Sequence, residues 1–79
     1  MKTIAIIEDD KLLNEALSRM ITKAGYETLR AYTLREGISL IYRLPDLMII
    51  DINLPDGEGT KLCRQAREYS TIPVVLVYK

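Results

Sequence analysis

The chain contains no histidine. This excludes histidine general bases, serine–histidine triads and most zinc sites. It has a single cysteine, Cys63, so no internal disulfide can form, which fits a reducing compartment. It has no net charge, because eleven basic side chains balance eleven acidic ones; composition alone therefore supplies no basic patch for nucleic acid. Long apolar runs are also missing. The stretch after Lys2 ends at Ile7, before Glu8, Asp9 and Asp10, too short for a signal peptide or a membrane span. No linker, low-complexity tract or repeat interrupts the pattern. These absences predict one soluble cytoplasmic domain over residues 1–79.

What is present is a globular mixture: of 79 residues, 48% are hydrophobic and 28% charged. The size is near the lower edge for a domain, where only about 60% of the unfolded surface becomes buried.

Short apolar runs alternate with helical patterns. Thr3–Ile7 predicts a buried strand. Lys11–Ala24 carries Leu12, Leu13, Ala16, Leu17, Met20, Ile21 and Ala24 on an i, i+4 stripe, with Asp10 as N-cap and Gly25 at the C-cap. A second strand is expected over Glu27–Ala31. Thr33-Leu34-Arg35-Glu36 has the capping-box pattern and opens a helix whose Ile38, Ile41 and Tyr42 should face inward, with Pro45 ending it. Leu47–Ile50 is wholly apolar, as in a strand covered on both faces. Leu54-Pro55-Asp56-Gly57 is a turn by composition. A third helix near Glu58–Glu68 offers Leu62, Cys63 and Ala66 to the core, and Ile72–Val77 is a fourth strand with Pro73 at its start. The order βαβαβαβ with short loops implies an α/β fold with parallel strands and right-handed crossovers.

In such sheets the ligand site lies beyond the carboxyl ends of the strands. Glu8, Asp9 and Asp10 follow the first strand, Asp51 the third, and Asp56 and Glu58 lie in the next loop. Packed carboxylates resist simultaneous ionisation unless a cation joins them. Hard oxygen donors without histidine or thiolate favour Mg²⁺. Glu8, Asp9 and Asp51 are the metal candidates; Asp10 is expected to cap the helix instead. Asp51 follows four apolar residues, where an uncompensated charge is costly. A strand-end carboxylate beside a dication can attack phosphorus and form an aspartyl phosphate.

The blocks Ile4–Asp10, Asp46–Gly57 and Ile72–Val77, with their spacing, resemble the receiver domain of two-component response regulators. The resemblance covers essentially the whole chain. It implies a flavodoxin-like parallel sheet of order 2-1-3-4, incomplete at the C-terminus: the family's fourth helix, fifth strand and fifth helix, with a phosphate-pairing lysine, would be missing. By position it implies Asp51 as phosphoacceptor, and Glu8 and Asp9 as the acid pair for Mg²⁺. It adds the backbone carbonyl of Asn53 as a metal ligand. It also implies a sensor histidine kinase as phosphodonor, a non-enzymatic role, and no direct contact with membrane or nucleic acid.

Two positions depart from the family pattern. Tyr78 stands where the family has a threonine or serine, and a phenol cannot simply replace a short hydroxyl. Lys79 lies near the same rim, where the family has a small residue. Two alternatives follow. One is an incomplete receiver that self-associates and does not signal. The other is a Mg²⁺-dependent aspartyl-phosphate phosphatase of the haloacid dehalogenase type, disfavoured because Asn53 stands where that class places its general acid. With no fifth strand, Ile72–Val77 becomes an apolar edge without lysines to blunt it. The expectation is a homodimer, two-fold symmetric, through this fourth strand.

Overall fold

A computed structural model describes residues Met1–Tyr78; Lys79, which departs from the family pattern, lies outside the described residues. The elements follow as β1 (Thr3–Ile7), α1 (Lys11–Lys23), β2 (Glu27–Ala31), α2 (Leu34–Ile41), β3 (Leu47–Asp51), β4 (Asn53–Leu54), β5 (Gly57–Glu58), α3 (Gly59–Tyr69) and β6 (Val74–Val77). The main sheet has the order β2-β1-β3-β6, all parallel. These four strands are the four expected from sequence, in the expected order 2-1-3-4. The Leu54–Gly57 turn carries more than composition reveals: β4 and β5 pair across it as a small antiparallel hairpin.

The sheet divides the helices. Thr28 and Arg30 of β2 reach α1 through Ser18 and Asn14, so α1 covers one face. On the other face Ala5, Ile7, Met48 and Ile50 pack with Ile41, Leu62 and Ala66 of α2 and α3 to form the core. A Cβ on Gly37 would fall 2.7 Å from Leu62 Cδ2, which shows how closely α2 approaches α3 and β1.

The termini of the helices explain their lengths. Asp10 caps α1 by accepting from Leu13 N–H at 3.1 Å. At its other end, Gly25 has φ 102° and donates to Thr22 O, while Tyr26 N–H reaches Ile21 O. This is a Schellman stop, which glycine's lack of a Cβ permits. In α2, Thr33 accepts from Glu36 N–H, while Glu36 Oε1 accepts from Tyr32 N–H, one residue before the cap. The helix ends at Ile41, before Pro45 can act, through a turn in which Leu44 takes φ 52°.

Three packing expectations are corrected. Tyr42 does not face inward; it is exposed and stacks edge-on against Tyr69, ring centroids 4.7 Å apart. Leu12 and Met20 belong to the outer face of α1, at 80% and 69% exposure. The stripe of α1 is too wide for all of it to meet the sheet. Cys63 is only half-buried, while Leu62 and Ala66 are fully buried. Among the described residues, no helix is long and apolar enough to cross a membrane.

Candidate functional site

The acidic rim forms at the carboxyl ends of β1 and β3, which are neighbours in the sheet, with Ile7 opposite Ile50. Parallel pairing therefore brings Glu8 and Asp9 beside Asp51, although more than forty residues separate them in sequence. One carboxylate oxygen from each of Glu8, Asp9 and Asp51 lies within 4.8 Å of the others. Glu8 is 3% and Asp51 1% exposed, while Asp9 opens to solvent. Two buried acids and one accessible acid make a site with an entrance.

Several backbone groups hold these side chains. Asp51 Oδ1 accepts from Asn53 N–H at 3.0 Å, and Glu8 Oε2 accepts from Asp10 N–H at 3.0 Å. Val77 lies opposite Asp51, and Ile52 N–H continues the ladder to Val77 O at 3.1 Å. Behind Asp51, Gly59 starts α3 so close that a Cβ there would overlap the Asp51 carbonyl oxygen. Its N–H donates to Ile52 O at 2.7 Å. Only glycine permits this approach of helix to strand.

The donor set fits a small hard cation. Three carboxylates supply oxygen ligands and excess negative charge, without nitrogen or sulfur donors. The remaining rim acids have other work. Asp10 caps α1. Asp56 accepts from Leu34 N–H at 2.7 Å and Arg35 N–H at 3.1 Å, closing the first turn of α2 from the β4–β5 hairpin. The Leu34 N–H is the main cause holding the Asp56 carboxyl below the usual carboxylate range; desolvation is the next largest influence and opposes it, and the Arg35 N–H and charge add to the lowering. Glu58 is exposed and accepts from Thr60. Asn53 adjoins the cluster through its N–H. Tyr78 follows β6 on the same rim and is 80% exposed.

Sequence reasoning missed two supporting features. The first is Gly59. The second is Asn14, a fully buried side chain bonded to Glu8 O, Ala31 O and Arg30 Nε. A lone polar residue four positions after the helix cap, on the side of α1 that must meet β1, was the available signal. Nearby, Tyr32 accepts from Arg30 Nη2 at 3.1 Å and lies beneath Lys11 Nζ, 5.7 Å from its ring centroid.

Residues 4–78 match the response regulator receiver domain. The chain belongs to this family. It is 33% identical over 98% of its length to the KDP operon transcriptional regulatory protein KdpE of Escherichia coli K12, of which it covers 35%. It is 35% identical to the transcriptional regulatory protein YxdJ of Bacillus subtilis 168, over 98% of this chain and 34% of that protein. A CheY-like response regulator receiver domain protein from Methanospirillum hungatei JF-1 superposes with a TM-score of 0.95 at 31% identity, over 99% of this chain and 64% of that one. The non-phosphorylated HemR receiver domain from Leptospira biflexa gives 0.93 at 28% identity, with the same coverage of both chains. The chain thus spans about a third of the curated relatives and 64% of these solved receivers.

Receiver domains are signalling modules of two-component systems, phosphorylated by histidine kinases. The family match supports neither the phosphatase reading nor that of a self-associating chain that has lost signalling.

Proposed function

We propose that residues 1–79 act as one cytoplasmic receiver unit that accepts a phosphoryl group on Asp51 from a sensor histidine kinase. The observation that carries this reading is the convergence of Glu8, Asp9 and Asp51, two of them buried, at the strand ends. A carboxylate oxygen of Asp51 attacks phosphorus in line with the bond to the donor nitrogen. The new P–O bond gives an acyl phosphate, the P–N bond breaks, and the imidazole takes a proton from solvent. Asn53 N–H holds Oδ1 of the nucleophile and fixes its direction. Glu8, Asp9, Asp51 and the backbone carbonyl of Asn53 would hold Mg²⁺, which offsets charge on the phosphoryl oxygens. Tyr78 is large and exposed, so the hydroxyl contact of the family is not reproduced by a short side chain here.

Titrating Mg²⁺ while following backbone amide shifts tests the site. Shifts centred on Glu8, Asp9 and Asp51 at millimolar metal are expected. No response there, or an unchanged response in Asp9→Asn, contradicts it.

Pairing with a second copy belongs to the same proposal. Among the described residues, β6 has β3 on one side and no strand on the other, and Val75 is 49% exposed. Backbone pairing of two β6 edges about a two-fold axis would satisfy their free N–H and C=O groups. Sedimentation at micromolar concentration should show a dimer that Val75→Lys weakens; a monomer unaffected by the change contradicts the pairing.

A further inference from the structure

Asn14 has no exposed surface, yet the phosphoacceptor reading above gives it no task. Its Nδ2 donates to two carbonyl oxygens, Glu8 O and Ala31 O, each at 3.0 Å. Its Oδ1 accepts from Arg30 Nε at 2.7 Å. With a guanidinium on one side and two carbonyls on the other, only one orientation of the amide satisfies all three partners. Arg30 is itself steadied by Tyr32, whose hydroxyl accepts from Nη2 at 3.1 Å.

These bonds belong to a ring. Glu8 N–H donates to Ala31 O at 3.0 Å. The Glu8 carboxylate accepts from Asp10 N–H, and Asp10 in turn caps α1 through Leu13 N–H. Asn14 N–H donates to Asp10 O at 2.8 Å, and the Asn14 side chain returns to Glu8. Strand end, turn and helix start are therefore closed on one another, and Asn14 supplies two of the closing bonds.

We propose that Asn14 is a positioning residue: it holds the Glu8–Asp10 turn in the conformation that gathers the carboxylates of Glu8, Asp9 and Asp51. Three carboxylates within 4.8 Å repel one another, and a loose turn would relieve that repulsion by swinging Glu8 or Asp9 outward. A turn locked beforehand leaves little ordering cost when a cation arrives. Partners behind a ligand set commonly alter metal affinity about 10–100-fold. The consequence for metal rests on the function proposed above; the restraint on the turn does not.

Asn14→Asp is the test. It keeps the shape and the oxygen that Arg30 binds, but removes the two amide donors. Two quantities are read: hydrogen exchange at the Glu8 and Asp10 amides relative to those of β3, and Mg²⁺ affinity from the Asp9 and Asp51 amides. Ile41→Val, a core change remote from the rim, controls for general loss of stability. Asn14→Asp should speed exchange at Glu8 and Asp10 selectively and weaken Mg²⁺ by about tenfold or more, although an added carboxylate alone would strengthen it. Ile41→Val should do neither. Exchange that rises uniformly, as in Ile41→Val, or Mg²⁺ binding that is equal or tighter, overturns the assignment. Should Asn14→Asp not fold, Arg30→Met, which frees the amide to turn, must move both readouts in the same direction, and no change overturns the assignment. If the parent itself shows no Mg²⁺ response, the functional reading fails, and selective exchange alone decides the role of Asn14.

Discussion

Gly59→Ala changes one hydrogen for a methyl group where α3 meets the phosphoacceptor strand. The new Cβ would overlap the carbonyl oxygen of Asp51 and lie 2.8 Å from Ile50 Cγ2 and 2.9 Å from the Asp51 carbonyl carbon. Two of those three atoms are backbone of β3, which is held between β1 and β6 and has no free direction in which to move. Alanine would bring about 0.5–1 kcal/mol through its better helix propensity, less at a first helical position. Overpacking costs about 1–3 kcal/mol, so it wins, with a net loss of about 1–2 kcal/mol. Gly37→Ala makes the comparison. There the nearest atoms are side-chain ends, Leu62 Cδ2 at 2.7 Å and Ile7 Cγ1 at 3.0 Å, and the position is mid-helix. The two effects should nearly cancel. Urea unfolding with unchanged slope measures both variants, and Gly59→Ala should also weaken the Mg²⁺ response at Asp51. If Gly59→Ala is as stable as the parent, or less harmful than Gly37→Ala, the packing argument is refuted.

Leu44 is exposed at φ 52°, a region that disfavours a side chain of this size by about 1–2 kcal/mol. Leu44→Gly should therefore stabilise the fold by up to about 1 kcal/mol after the chain-entropy cost of glycine, read as a higher urea midpoint; a lower midpoint would show that the leucine packs usefully. Asp56 holds its charge through Leu34 and Arg35 N–H, with its folded value lowered. A lowered value stabilises the fold above the unfolded value and loses that contribution as pH falls through the folded one. The parent should thus lose stability below about pH 3.9, and Asp56→Asn should lack that part of the acid sensitivity. Identical acid profiles would remove Asp56 from the account.

The sheet was legible because its signals are local and strong. Val74–Val77, Leu47–Ile50 and Thr3–Ile7 are apolar enough to read as buried parallel strands, and Asp10 and Thr33 mark helix starts by their own chemistry. The acidic cluster was legible for a related reason: strand ends in a parallel sheet share one rim, so Glu8, Asp9 and Asp51 had to be close. The rest depended on tertiary contacts. Leu12 and Tyr42 have the right period but lie at the margin of their helix faces, which residue type does not reveal. Asp56 looked like a rim acid because its partners, the first amides of α2, lie some twenty residues away. Gly59 and Asn14 carry meaning only once α3 and α1 have been set against the strands.

Modification of Asp51 tests the central claim most directly. Incubation with a small-molecule phosphodonor and Mg²⁺, followed by intact mass and by peptide mapping, should show one phosphoryl group on Asp51. Asp51→Asn should show none under the same conditions. An equal mass gain in Asp51→Asn, or a phosphoryl group mapped to another residue of the parent, would contradict the account.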